Sequence, residues 1–445
     1  MSSFGALDGR DGVLTELKSH LKQLNAIEVH DNVEVKSLGI FATGALSEGA
    51  VLVAVPFDEC ITVERIMMSA LAPVFEASPG LTKYPDEVLA LGLMYGRVHS
   101  ECPWHHHCRS MPLEMDTPIF WSEEELGRIQ QLNNFFVSNI LKRQMAADWD
   151  SIPGPIAEQF PDLLGGVDKG MYEWALSMVY SRACGIKRKG VYTRCIAPVV
   201  DMANHMPQAG RFSADAFHFD DDEDVLQIRT CVDVQAGEEC FAIYGTYSNA
   251  KLLHTYGFVL PGEAPLAMDV WPNLSHHLDT LADQDVAARK LKVLEQLRLT
   301  DAAADYKFDG SVRSQSRDTE VIIDPRLMRM TRIMQATDEE LKLMCRPGYQ
   351  GDSVGPRNEE ATYKALTELF EAVRTRLLSG VPADDVVKEE GPALPPMPGS
   401  PVPSPISEYR ALCARTVRAD DCLVLDLAAR KAGAKFAAYA SKRKV

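Results

Sequence analysis

Pro198-Val-Val-Asp201-Met-Ala-Asn204-His205-Met-Pro207 begins the stretch that decides the fold; Ile243-Tyr244-Gly-Thr-Tyr-Ser-Asn249 and Leu252-Leu-His-Thr-Tyr256-Gly-Phe258 end it. Between them two β-like runs, Ala214–Phe219 and Val225–Val232, flank the acidic turn Asp220–Asp224. Asn and His close turns by bonding the local backbone, and Tyr-Gly pairs end strands and helices, so each feature has a purely structural reading. Their density on an apolar, β-rich frame, with Arg182 at the end of a strong helical pattern just upstream, points to a polar site.

Outward from this stretch, Val33–Phe41 and Ala50–Val55 read as strands in a hairpin-like pattern. Pro56, with no N–H to donate, ends the second strand. Thr62 is a predicted helix cap. Glu87–His99 spaces Val88, Leu91, Met94, Tyr95 and Val98 on one face. Ser122 followed by Glu125 is a capping box, predicting a helix from Glu123 into the 130s, and Phe135–Trp149 continues helical. Met171–Cys184 carries an apolar stripe from Tyr172 to Ala183, with Gly185 suited to its C-cap. Beyond Pro261 the patterns are mainly helical, over Leu278–Leu297, Pro325–Leu343, Glu359–Ser379, Glu408–Thr416 and Asp420–Ala438. The Pro-rich segment 382–405 predicts a disordered loop between helices. Leu14–Leu24 reads as a helix within an N-terminal segment, 1–30.

A chain of 445 residues with 46% hydrophobic content predicts a globular protein of more than one domain. A net charge of −17 disfavours a phosphate backbone as partner, so no direct nucleic acid is expected, and a basic protein segment is the better match. No apolar run is long enough to span a membrane, and the N-terminus has neither secretory nor transit-peptide character, which predicts a cytoplasmic or nuclear protein that does not bind membranes. The ten cysteines form no CxxC pair, so no zinc ribbon or disulfide framework is expected. His105-His106-His107 cannot share one ion from a single helix, and a partly exposed polar helix start is the expectation there; no metal site is predicted. No GxGxxG, GxxxxGK[ST] or GxSxG motif occurs, which argues against Rossmann, P-loop and α/β-hydrolase chemistry.

Read together, the motifs resemble SET-domain protein methyltransferases, in the branch typified by the Rubisco large-subunit methyltransferase. The similarity runs in order through Ser37-Leu38-Gly39-Ile-Phe41-Ala-Thr43, Val55-Pro56, Trp104…Met111-Pro112, Pro118-Ile-Phe-Trp-Ser-Glu-Glu-Glu-Leu126 and Trp174-Ala175…Ser181-Arg182. It continues in Asp201-Met-Ala-Asn204-His205 and in Ala236-Gly-Glu-Glu239…Tyr244-Gly…Ser248-Asn249…Tyr256-Gly-Phe258. Ser37, Lys36 and His107 stand where the pattern has, respectively, glycine, often an acidic residue, and an aromatic.

The resemblance implies an α+β protein: a SET fold of several small curved β-sheets over 31–260, interrupted by a helical insertion at about 66–185, with a knot-like crossing near the Asn-His motif. A mainly α-helical substrate-binding domain would follow over 261–445. It implies S-adenosyl-L-methionine (AdoMet) as methyl donor, held by Lys36, Ser37 and Leu38 largely through backbone, and by Arg182, Asn204 and His205. Arg182 and Asp201 would border the substrate, Tyr244 would be the catalytic tyrosine and Tyr256 would line the target-amine channel. The implied activity is methylation of lysine on a non-histone protein by a monomeric enzyme. Methylation of histidine, or a non-catalytic binding module, are the alternatives.

Overall fold

The computed structural model of the protein describes residues 19, 27–36, 39–206, 217–270, 274–299, 312–314, 320–381 and 406–442. The Leu14–Leu24 helix (save Ser19), Ser37 and Leu38, the first half of Ala214–Phe219 and the Pro-rich segment 382–405 lie outside the described residues.

Short strands, all paired antiparallel, build the N-terminal half. They are β1 (Glu28–Val29), β2 (Val33–Lys36), β3 (Gly39–Ala42), β4 (Val51–Pro56), β5 (Ile61–Thr62), β6 (Cys184–Arg188), β7 (Val191–Ile196), β8 (Phe217–Asp220) and β9 (Val225–Arg229). One sheet has the order β1-β4-β9-β8, a second is the β2-β3 hairpin, and a third has the order β5-β7-β6. The register pairs Val53 with Ile228 and Val55 with Leu226, joining segments far apart in sequence. Strand alternation turns Val35, Ile40, Leu52, Val53, Val55, Leu226 and Ile228 into one buried cluster. Each such side chain, fully buried, contributes about 1.5–3 kcal/mol.

The expected hairpin is displaced. Val33–Phe41 is not one strand but two, folded on themselves with Val33 opposite Ala42 and Lys36 opposite Gly39. The second expected strand, Ala50–Val55, forms as Val51–Pro56, with Pro56 its last residue, and pairs instead with β1 and β9. The acidic hairpin turn between β8 and β9 forms as read, and Arg188 closes on Asp224 there.

A run of helices lies between β5 and β6. Thr62 caps the first of them, its hydroxyl accepting from the Arg65 N–H at 3.1 Å. Ser122 and Glu125 form the capping box, but that helix stops at Gly127. The Pro85–Val98 helix is buried from Val88 through Gly96 rather than on one face, so it is the centre of this bundle, packed against Tyr172, Ala175, Leu176 and Val179 of the Lys169–Arg182 helix. That second helix ends at Arg182, and Gly185 is not its cap: Ala183 is already extended and Cys184–Arg188 pairs with β7. Strand pairing takes the residues that helical periodicity assigned to the last turn.

The C-terminal region is mainly helical, with a small sheet of β10 (Leu266–Met268), β11 (Val312–Ser314) and β12 (Ile322–Ile323). The Pro356–Leu378 and Ile406–Lys442 helices pack along each other through Leu366, Phe370 and Leu377 against Cys413, Val417, Val424 and Leu425. The second is continuous, where two helices were expected. Polar residues at the join of the two expected ranges are buried and bonded: Asp420 Oδ2 accepts from Asn249 Nδ2 at 2.7 Å, and Arg418 donates to the Arg128 carbonyl. Among the described residues no helix is long and apolar enough to cross a membrane.

Candidate active site

The Asp-Met-Ala-Asn-His segment begins at a backbone outlier. Val199 has φ 68° and ψ −42°, a strained, γ-turn-like conformation that a β-branched residue adopts only when its surroundings impose it. The chain then makes one 3-10 turn, Val200–Met202, and extends through Asn204 and His205. His205 forms a parallel bridge with Ala242, while Glu239 forms an antiparallel bridge with Phe41 of β3. The 239–242 segment is therefore held between β3 and the Asn-His segment, with Cys240 N–H donating to Ile40 O and Ala242 N–H to Asn204 O, both at 2.7 Å.

That crossing orders the aromatic wall. Tyr244 N–H donates to His205 Nδ1 at 3.1 Å, and Tyr244 Oη donates to the Ala203 carbonyl at 2.7 Å. The Tyr244 ring stacks on His205, centroids 5.1 Å apart, and faces Tyr256 at 4.8 Å. Tyr247 and Phe258 pack on Tyr256 at 6.2 and 6.0 Å. Tyr256 ends the Asn249–Tyr256 helix, which Ser248 caps. Gly257 follows with φ 81°, and a Cβ there would lie 2.8 Å from the Asp116 backbone, so this Tyr-Gly pair is also a helix stop, as its structural reading held.

Burial fixes the protonation states. It pushes Tyr244 up to about 12, with Arg182 opposing, so the phenol stays protonated at neutral pH. Tyr256 is pushed up for the same reason. Burial drives His205 down to about 4, offset in part by the Ala242 backbone. The ring is therefore neutral, and since Nδ1 accepts, its proton sits on Nε2, a buried atom with no well-formed hydrogen bond.

Arg182 reaches Asp201 from the end of its helix. Its Nη1 donates to the Asp201 carbonyl at 2.8 Å and to Oδ2 at 3.2 Å. At the same Oδ2 stands His107, Nε2 to Oδ2 3.3 Å, at an ion-pair distance but an imperfect hydrogen-bond angle. Burial alone would raise the Asp201 carboxyl; His107 and then Arg182 outweigh it and hold the group below the usual carboxylate range. The histidine run is thus not a partly exposed helix start. His105 and His107 are buried, because the short His105–Ser110 helix packs on the bundle through Trp104 and Cys108.

These groups surround a cavity of about 350 Å³ whose wall includes Arg182, Asp201, Tyr244, Tyr247 and Tyr256. Four residues singled out in the sequence (Arg182, Asp201, Tyr244, Tyr256) meet there. Asn204 and His205 do not line it; they lie behind Tyr244, near Gly39. Asn204 Nδ2 donates to Glu239 Oε1 at 2.6 Å. A Cβ on Gly39 would collide with that same Oε1, so any larger residue there would have to displace the Glu239 side chain. Burial pushes the Glu239 carboxyl up to about 7, an effect the Asn204 amide only partly offsets. Lys36 is exposed and engaged elsewhere, 2.5 Å from Glu34 and over the Phe41 ring. Tyr247, Glu239 and His107 were not singled out as site residues. Tyr247 is three residues past Tyr244 and Glu239 closes the Gly-Glu-Glu run, so their positions beside motif residues were available signals; the His107 contact had none.

Small antiparallel sheets, split by helices and threaded near an Asn-His pair, followed by a helical region, define the SET fold in the arrangement of the Rubisco large-subunit methyltransferase. Solved structures carry the likeness. The SET domain of LSMT bound to lysine and AdoHcy superposes with a TM-score of 0.71 at 19% identity, over 96% of this chain and 92% of that one. Rubisco LSMT bound to AdoMet gives 0.69 at 19%, over 96% and 93%. By sequence the chain is similar to the actin-histidine N-methyltransferases of Mus musculus and Homo sapiens, each 26% identical over 322 residues, 70% of this chain and 50% of theirs. The chain thus spans about half the length of the curated relatives it matches. No family model matches it.

Proposed function

We propose that the protein is an AdoMet-dependent protein N-methyltransferase, with the cavity between Arg182–Asp201 and the tyrosine wall as its transfer channel. The observation that carries this reading is the convergence of the Arg182 guanidinium, the Asp201 carboxylate and the rings of Tyr244, Tyr247 and Tyr256 on a single cavity in a SET fold. The residues fit a sulfonium amino-acid nucleoside. A guanidinium fork suits its carboxylate, and ring faces attract a cationic centre. Arg182, Asn204 and His205, with the backbone of 36–38, would hold the cofactor, which supplies an electrophilic methyl group.

The protein's own part is alignment and exclusion of water. Tyr244 cannot be the base, because its phenol stays protonated and already donates to Ala203 O. Its oxygen lone pairs remain to accept a hydrogen bond from the incoming nitrogen and so point it at the methyl group. Tyr256 and Tyr247 would close the channel around the target side chain, and exclusion of water there would favour the neutral amine that attack requires. We take lysine of a non-histone protein as the target, since a ring-walled channel suits a slender alkyl amine and Tyr256 before Gly257 resembles lysine-directed members. The names of the curated relatives favour histidine as the second reading. The helical segment 261–445 is the proposed dock for the protein substrate.

Thermal shift with AdoMet and S-adenosylhomocysteine is the first test; no shift at saturation sinks the enzyme reading. Labelled AdoMet with a cell extract should then mark a protein band with wild type and not with Tyr244→Phe, and mass spectrometry of the band distinguishes methyllysine from methylhistidine.

A further inference from the structure

His107 belongs to the helical insertion, yet it touches the carboxylate that holds Arg182. We propose that His107 is a positioning residue for the cofactor end of the cavity: it fixes the Asp201 carboxylate at Oδ2, the same oxygen that binds the Arg182 guanidinium. The proposal rests on the methyl-transfer reading above for the identity of the ligand.

The geometry is a three-residue chain drawn from three elements. Asp201 Oδ2 is shared by His107 Nε2 at 3.3 Å and Arg182 Nη1 at 3.2 Å. The side chains of His107 and Asp201 are each 2% exposed and that of Arg182 is 22% exposed, so the chain runs from the interior to the cavity wall. His107 itself does not line the cavity. A lone carboxylate at this depth would favour its neutral form, and a neutral Asp201 would bind the guanidinium less firmly.

The His107 anchor is rigid. The Trp104 indole N–H donates to Gly92 O at 2.8 Å, and His105 Nδ1 bonds Gly96 O at 2.8 Å. Arg97 Nη1 donates to Cys108 O at 2.9 Å, and the Trp174 indole N–H to Pro112 O at 2.7 Å. These bonds pin the His105–Ser110 helix to the bundle on both sides of His107. A side chain held this firmly and spent on one carboxylate constrains Asp201, and through it the direction of Arg182. The remaining buried atoms of the set, His107 Nδ1 and Asp201 Oδ1, have no partner among the described residues, so neither group is tied into another network that would explain the pairing.

The experiment measures S-adenosylhomocysteine affinity by calorimetry for wild type, His107→Phe, His107→Gln, Asp201→Asn and the double variant His107→Phe/Asp201→Asn, with thermal melting to confirm that each is folded. His107→Phe keeps the ring and removes the nitrogen; it should weaken binding about tenfold, within the range of an ångström-scale misplacement. His107→Gln restores a donor and should recover most of the loss. In the Asp201→Asn background His107→Phe should add less than about twofold, because the two act through one contact. Binding by folded His107→Phe equal to wild type overturns the proposal. So does no recovery with glutamine, or full multiplication of the two losses in the double variant. If His107→Phe does not fold, His107→Ala against Asp201→Asn and their double variant carry the same comparison. Wild-type protein that does not bind the probe removes the methyl-transfer reading and this one together, whereas normal wild-type binding with an indifferent His107 removes this one alone.

Discussion

Two buried polar clusters hold distant segments together, and they are built differently. At the junction with the last helix, Asn249 is fully buried and fully bonded: Oδ1 accepts from Leu260 N–H at 2.6 Å, while Nδ2 donates to Leu260 O at 3.1 Å and to Asp420 Oδ2 at 2.7 Å. At the cavity, His107 and Asp201 are as deeply buried, yet each keeps an atom without a partner. A buried polar group left unmatched costs free energy, so the closed cluster reads as a fastening, while the open one agrees with the site proposed above. Motif reading cannot separate them, since Asn249 sits inside the same run of conspicuous residues as Tyr244 and Tyr256.

The contrast can be broken by experiment. Asn249→Leu removes the amide donor to Asp420 and both bonds to the Leu260 backbone at once, and denaturant unfolding should show a loss of about 3 kcal/mol, near the upper end for buried polar defects. Tyr244→Phe removes one hydrogen bond and should cost only about 1 kcal/mol in the same measurement. Its label transfer, however, should fall by about 100-fold or more, the scale of losing an orienting or electrostatic group at a reacting centre, equivalent to about 2.7 kcal/mol of barrier. Equal stability losses for the two variants would erase the distinction between fastening and site.

Glu239 sharpens the same point through pH. Its carboxyl is raised to about 7 in the folded protein from an ordinary value of 4.5, because burial penalises the charged form. The folded state therefore binds the proton more tightly than the unfolded one. Stability is favoured below about 4.5 and declines as pH rises toward about 7. Allowing for partial exposure, the decline is about 1–2 kcal/mol. Glu239→Gln keeps a partner for Asn204 and should remove this component, so that its stability relative to wild type improves between pH 5 and pH 8. Unchanged pH dependence would place the titration elsewhere. Least affected should be Arg374→Ala, which breaks an exposed pair with Asp426 at 3.4 Å between the two long helices. Exposed pairs of this kind are worth about 0.5 kcal/mol, and a larger change in melting would mean that the surface matters more than the buried clusters.

Much of the fold was legible because its signals are local. The Ser122–Glu125 box, the Thr62 cap and the acidic turn at Asp220–Asp224 each depend on residues within a few positions, and each forms. The errors fall where a distant partner decides. Gly185 looks like a helix stop until Arg194 stands opposite it in β7. Two helices were expected where Asn249 and the Arg128 carbonyl, from elsewhere in the chain, satisfy Asp420 and Arg418 within one. The cavity wall followed the same rule. Arg182, Asp201, Tyr244 and Tyr256 could be picked out from order and residue type. His107 could not, because its significance lies in a carboxylate 94 positions away, the difference between residues 201 and 107.

The pairing of β7 with both β5 and β6 has a consequence for how such a chain can change. Thr62, where the run of helices begins, and Cys184, where it has ended, are both partners of the same residue, Cys195. Entry and exit are therefore one strand apart on either side, about 10 Å in all. A module with adjoining ends can lengthen, shorten or be exchanged with little effect on the register of the sheet that closes it, since doubling a flexible intervening chain adds only about 0.6 kcal/mol of closure cost. His107 and Arg182 belong to that module, so a change in it alters what surrounds Asp201; because Asp116 and Asn134 of the same module abut the turn and helix that carry Tyr256, the tyrosine wall would feel the change too.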